Sequence, residues 1–303
     1  MDIKDGVYGL AIGDAYGVPY EFRNRNDIAT SIRREMKGYG THCQPRGTWS
    51  DDTSLTLCLL DNLDYKIDYN KIMNSFVAWY KEGKYSVDGY CFDIGIGTKR
   101  AIMKYLRGVQ PVKCGSRRFD NNGNGSLMRM LPLVYYFYYN YQCIDRTIIK
   151  KVSSLTHGND IAIMACEIYV ELGYRLLNGE KIFNAYKEVL EKNVNYWHDK
   201  NILEIHKLEN IESLDYLNLK GSGYVISTLQ SALWSVLKTS SFEECILTAV
   251  KIGGDTDTIA SVAGGLAGIM YGKESIPDEW IKSLRNKKLI DEICEKFMKK
   301  IKE

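Results

Sequence analysis

Two short acidic segments about 200 residues apart, Ser50-Asp51-Asp52-Thr53 and Gly254-Asp255-Thr256-Asp257-Thr258, hold the residue types best suited to chemistry in this chain. Each sets two carboxylates and neighbouring hydroxyls directly before a run of apolar, helix-forming residues. Capping accounts for either segment alone, because Ser, Thr and Asp favour helix N-termini and carboxylates favour the positive end of the helix dipole. Brought together, the four carboxylates would repel one another, and some would have to take up protons at neutral pH. A hard divalent ion removes that conflict. Oxygen-only donors select Mg²⁺, Mn²⁺ or Ca²⁺, and this many acids can serve two ions. The pair of segments therefore predicts a shared metal centre.

Three further segments carry possible chemistry. In Cys91-Phe92-Asp93-Ile94-Gly95-Ile96-Gly97-Thr98 an acid precedes a G-x-G turn that opens a helix, so backbone amides there can meet a phosphate. Asn121-Asn122-Gly123-Asn124-Gly125-Ser126 repeats the arrangement ahead of an apolar helix starting at Leu127. A plain turn explains one such glycine pair, whereas two together match a ligand with two phosphates. Neither is a Rossmann or Walker loop, since no strand precedes them and no Lys-Ser or Lys-Thr follows. Of the four histidines, only His157, in Thr156-His157-Gly158-Asn159-Asp160, sits where a site loop would put it. A cap or a core hydrogen bond explains that residue as well. The H-E-x-x-H and G-x-S-x-G patterns are absent.

The elements that must position these residues read as helices. Apolar residues recur at three- and four-residue spacing over 54 to 63, 71 to 80, 98 to 106, 161 to 177, 224 to 237, 243 to 252 and 259 to 270, and period-two strands are scarce. The expected fold is all-α. Glycine and alanine crowd residues 6 to 17 and 260 to 268, at a cost of roughly 1 kcal/mol per helical glycine against alanine, so those two helices are expected to cross closely near the acids. The aromatic run 134 to 139 reads as a half-buried helix face, because no basic groove accompanies it as a nucleic-acid stacking platform requires. Residues 193 to 220 lack a clean period and read as a long loop or weak helix.

Composition adds bounds. With 303 residues, 45% hydrophobic, 26% charged and no linker-like stretch, the chain reads as one domain over 1 to 303. A formal charge of +2 gives no footprint for nucleic acid or an anionic membrane. The eight cysteines form no C-x-x-C pair and suit a reducing cytoplasm, the first residues lack the order of a secretory signal, and no apolar stretch approaches a membrane span.

In their order and spacing these segments resemble the ADP-ribosylglycohydrolase family, within it the dinitrogenase-reductase-activating type. The likeness runs through Gly9-Leu10-Ala11-Ile12-Gly13-Asp14-Ala15, Pro19-Tyr20-Glu21, Trp49 to Ser54, Phe92 to Gly95, Gly123 to Arg129, Thr156-His157, Gly223-Tyr224-Val225 and Gly253 to Thr258, nearly the whole chain. It implies an all-α domain with two Mg²⁺ or Mn²⁺ ions in a cleft for ADP-ribose. By that resemblance Ser50, Asp51, Asp52, Asp255, Asp257 and Thr258 would be metal ligands. Gly95, Gly97, Gly123, Asn124, Gly125, Ser126 and His157 would line the cleft, and Tyr224 would stack on adenine. Two positions depart from the pattern. Ile96-Gly97 replaces an Asn-Thr pair, and Gly254 replaces an aspartate found in some relatives.

The resemblance implies hydrolysis of an ADP-ribosylated protein at the bond from ribose C1 to an acceptor nitrogen, most readily that of arginine, with ADP-ribose as product. By the same resemblance Asp93 is the candidate for the acid or ring-opening role, and Glu21, Asp51 and Asp52 are candidate bases for water. Two alternatives within the scaffold are a silent ADP-ribose-binding module and a hydrolase of a serine or nucleic-acid-base linkage. The prenyl-diphosphate enzymes, which gather Mg²⁺ through D-D-x-x-D, are a poor match because Leu55 stands at the last position.

Overall fold

Glycine lets two helices touch backbone to backbone at the centre of the molecule. In the structure of this chain, a computed structural model describing residues 2–302, α1 (Ile3–Gly17) runs antiparallel to a late helix, Thr256–Tyr271. A Cβ on Gly9 would strike the carbonyl of Gly264, one on Gly13 that of Ala260, and one on Gly17 the backbone of Asp257. Four-residue spacing thus puts one small residue per turn at the seam. The seam ends where the second acidic segment begins.

Between these helices the chain forms α2 (Arg25–Ser31), α3 (Asp51–Asp61), α4 (Tyr69–Glu82), α5 (Ile96–Leu106), α6 (Leu131–Asn140) and α7 (Arg146–Ser153). It continues through α8 (Asp160–Leu177), α9 (Ile182–His206), α10 (Val225–Lys238) and α11 (Phe242–Lys251) to α12, the late helix, then α13 (Asp278–Ser283) and α14 (Lys287–Lys302). The described residues contain no β-strand, only isolated bridges, so the all-α expectation holds. One hydrophobic core joins residues from α1 through α14.

Three readings change. Residues 193 to 206 are neither loop nor weak helix but the second half of α9, and only 207 to 220 form loop and 3-10 turns. The period was obscured because polar groups occupy buried positions on that face: Asn193 donates to the Val189 carbonyl at 2.8 Å, and the Trp197 indole donates to Glu167 at 3.1 Å. The segment after Ser126 opens with a 3-10 turn, Leu127–Arg129, and the α-helix starts at Leu131, beside Pro132. In α6, residues 134 to 137 are fully buried and only Tyr138 and Tyr139 are half-buried.

The seam yields a stability prediction. Gly13→Ala should lower the denaturation midpoint by overpacking, at roughly 1–3 kcal/mol or more, because the atom in the way is backbone carbonyl and not a yielding side chain. An unchanged midpoint in urea would contradict this contact.

Candidate metal centre and cleft

The two acidic segments meet. Carboxylate oxygens of Asp14, Asp52 and Asp257 lie within 4.8 Å of one another, and so do those of Glu21, Asp255 and Asp257, so that Asp257 belongs to both groups. A third group joins Glu21, His42 and Asp93 over the same span. Ser50 is the N-cap of α3: its hydroxyl accepts from the Asp52 amide at 3.4 Å and donates to Asp52 Oδ2 at 3.2 Å. The Thr258 hydroxyl donates to the same oxygen at 3.3 Å. Asp255 occupies the N-cap position of α12 without a side-chain capping bond and accepts instead from Asn124 Nδ2 at 2.8 Å. Capping therefore accounts for Ser50 and leaves Asp255, Asp257 and Asp52 Oδ1 unexplained, the last having no partner among the described residues.

Asp14 and His42 are not legible as site residues in the sequence. Asp14, buried in α1, accepts from the Ser50 and Thr53 amides at 2.9 Å and from the Thr53 hydroxyl at 2.6 Å, which fixes the start of α3 against α1. Its one signal is an acid set among the glycines and apolar residues in the second half of its helix. His42 ends a 3-10 turn and its Nε2 hydrogen-bonds the Glu21 carboxylate, while its ring lies between Phe22 and Phe92. That bond raises the His42 pKa.

Electrostatics tests whether a cation belongs here. Burial first, then neighbouring carboxylates, hold Asp51, Asp52 and Asp257 well above the usual carboxylate range. Burial pushes Asp14 up to about 6 and Glu21 to about 7. Buried acids elsewhere in this protein are treated differently. Glu167 meets Arg146 at 2.6 Å and Glu171 meets Lys192 at 2.6 Å. No Lys or Arg pairs with Asp14, Asp51, Asp52, Asp255 or Asp257 among the described residues. An oxygen-rich centre with an orphaned carboxylate oxygen and no protein cation has the donor chemistry of a hard divalent ion.

The remaining predicted residues lie on, beneath or behind two glycine turns near this centre. Gly95 precedes α5 without a side-chain cap, and its amide points to Asp51 Oδ2 at 3.4 Å. His157 lies beneath both glycine turns. A Cβ on Gly97 would come 2.8 Å from its Nε2, and one on Gly125 2.9 Å from its Cε1. Its Nδ1 bonds the Thr156 hydroxyl at 2.8 Å, and burial drives its pKa down to about 3, so the ring is neutral and backs the turns. Asn124 N donates to the Gly223 carbonyl at 3.0 Å, which ties the second turn to Tyr224. Ser126 is buried behind that turn and accepts from Ser153 at 3.0 Å, and Arg129 holds the Gly125 carbonyl. Tyr224 donates to Glu204 of α9 at 2.6 Å.

Gly254, where the resemblance allowed an aspartate, sits in a conformation and a space that suit glycine. Its φ is +73°, its missing Cβ faces the Gly221 carbonyl, and its own carbonyl accepts from Phe22 N at 2.7 Å. An aspartate would not fit that left-handed, crowded position.

These features define a helical domain with a buried acidic centre beside two glycine turns. The family model described as ADP-ribosylglycohydrolase matches residues 2–303, and the chain belongs to that family of glycosyl hydrolases. It is 34% identical to ADP-ribosylarginine hydrolase Tri1 of Pseudomonas putida (strain GB-1), over 93% of this chain and 73% of that protein. It is 28% identical to ADP-ribosyl-[dinitrogen reductase] glycohydrolase of Rhodospirillum rubrum, over 91% and 87%. A solved structure described as an ADP-ribosylglycohydrolase-related protein complex superposes with a TM-score of 0.79 at 28% identity, covering 99% of this chain and 98% of that one. No helix of the described residues is long and apolar enough to cross a membrane.

Proposed function

We propose that this protein hydrolyses the N-glycosidic bond of mono-ADP-ribosylated protein, with arginine as the acceptor, and releases ADP-ribose. The observation that carries the reading is the convergence of acids from α1, α3 and α12 beside Asp93 and two glycine turns. The names of the Pseudomonas putida and Serratia proteamaculans relatives, at 34% and 31% identity, support arginine as the acceptor.

Ser50, Asp51, Asp52, Asp255, Asp257 and Thr258, joined by Asp14, would hold two Mg²⁺ or Mn²⁺ ions. Bound there, the ions supply charge neutralisation and Lewis acidity. With the Gly95 amide held by Asp51 and the Asn124 amide by the Gly223 carbonyl, the other amides of the two turns would meet the diphosphate, and Tyr224, oriented by Glu204, would offer its ring to adenine. Asp93, whose pKa is raised chiefly by burial, delivers a proton to the departing guanidine nitrogen as the C1–N bond breaks. One of Glu21, Asp51 and Asp52 takes a proton from the water whose oxygen bonds C1.

ADP-ribosyl-arginine, ADP-ribosyl-serine and a base-linked ADP-ribosyl nucleic acid, each offered with and without divalent metal, test the reading. Release of ADP-ribose from the arginine conjugate alone, and only with metal, is expected. Release from either other conjugate with none from arginine would overturn the acceptor. Free ADP-ribose is also expected to raise the melting temperature only when divalent metal is present. The gain is RT ln(1 + [L]/Kd), about 2.7 kcal/mol at a hundredfold excess. AMP, lacking the distal ribose, should stabilise far less. A shift that survives EDTA would contradict a metal-held ribose.

A further inference from the structure

Gly97, of the first glycine turn, also lines a cavity of about 470 Å³ whose wall includes Arg100, Lys104 and Arg118. The segment that builds it is unusually basic. Residues 96 to 121 carry seven Lys and Arg against one acid, Asp120, in a chain whose formal charge is +2. That acid is already paired with Arg118 at 2.8 Å. Lys104 reaches only a carbonyl, that of Cys114 at 3.2 Å, and no carboxylate pairs with Arg100 or Lys104 among the described residues. Three cations around one concave surface beside a strongly acidic centre form a field that selects anions.

The surroundings narrow the anion to one borne by a protein. Ile96, immediately before Gly97, is 71% exposed, and Phe119, next to Arg118, is 78% exposed. Exposed aliphatic and aromatic side chains bordering a basic cavity suit a protein surface, whose interfaces combine an apolar contact with a polar rim. A single-stranded nucleic acid would call for successive rings along a cationic groove, and the cavity wall itself contains no ring.

We infer that this cavity docks the modified protein, with Arg100 and Lys104 receiving acidic side chains that flank its ADP-ribosylated arginine while Ile96 and Phe119 meet apolar ones. The inference rests on the proposed function and deepens it: the cleft takes the ADP-ribose, and the basic face beside it selects which modified arginines enter. Charges at such a rim act through association rate and salt dependence more than through the chemical step.

The test compares three substrates with the metal-loaded full chain: free ADP-ribosyl-arginine, and two peptides ADP-ribosylated on one arginine and flanked by Asp and Glu or by Lys. The acidic peptide is expected to show a kcat/KM about 10-fold above the basic one at low salt, converging as salt rises. The double variant Arg100→Glu with Lys104→Glu should erase or reverse that preference and leave the free conjugate unchanged. Equal kcat/KM for the two peptides would overturn the docking face, as would an equal loss on all three substrates or inhibition by single-stranded DNA that the variant relieves. No release from the free conjugate would fall on the proposed function instead. The same comparison then rests on peptide affinities read by fluorescence anisotropy, where equal affinities overturn the inference.

Discussion

Replacing Asp257 by alanine is expected to strip the protein of divalent metal and to lower turnover by more than the roughly 10- to 100-fold that loss of an outer partner costs a metal site. Its carboxylate stands in both acidic groups, with Asp14 and Asp52 on one side and Glu21 and Asp255 on the other. Removing the carboxylate common to both groups would leave the site short of anionic oxygen for any ion it holds. Asp257 is 1% exposed and sits where α12 packs on Gly17, so the alanine variant also leaves a void. Asp257→Asn keeps the volume and should show the same loss of metal with the fold retained by circular dichroism. Metal content by elemental analysis decides. Full stoichiometry and near-normal turnover in Asp257→Asn would remove Asp257 from the ligand set.

The acidic grouping is legible in the sequence because its parts are local: two doubled acids, each at a helix start, each before an apolar run. Their meeting was signalled as well, since the glycines of α1 and α12 have no helical rationale except close approach. What stayed hidden depends on contacts far apart in the chain. Asp14 has the same composition signature as any residue of its helix until Ser50 and Thr53, some 36 to 39 residues on, present their amides to it. His42 lies in a loop without periodicity, and only the fold brings it to Glu21. The second half of α9 is hidden in the sequence for a related reason. Its core face includes Asn193 and Trp197, whose N–H groups donate to Val189 and Glu167, so burial there does not look apolar. That helix in turn reaches the cleft through Glu204 and Tyr224, a link that no motif carries.

Asp93→Asn separates proton transfer from metal binding. The side chain lies with Glu21 and His42, and the groups that gather Asp14, Asp52, Asp255 and Asp257 do not include it. Asparagine matches aspartate in size and cannot deliver the proton that the departing guanidine needs. The expected result is normal metal content, normal stabilisation by ADP-ribose, and turnover reduced by about 10²- to 10⁴-fold, the scale of general acid catalysis. A conjugate whose leaving group needs no proton sharpens the comparison. The variant should lose far less on an ADP-ribosyl derivative of an acidic phenol, because the acid has little left to do there. Equal losses on the arginine and phenol conjugates would make Asp93 a structural or positioning residue. Loss of metal together with turnover would move it into the ligand set and leave the guanidine to be protonated by another group, with Glu21, its neighbour in the His42 group and itself held up to about 7 by burial, next in line.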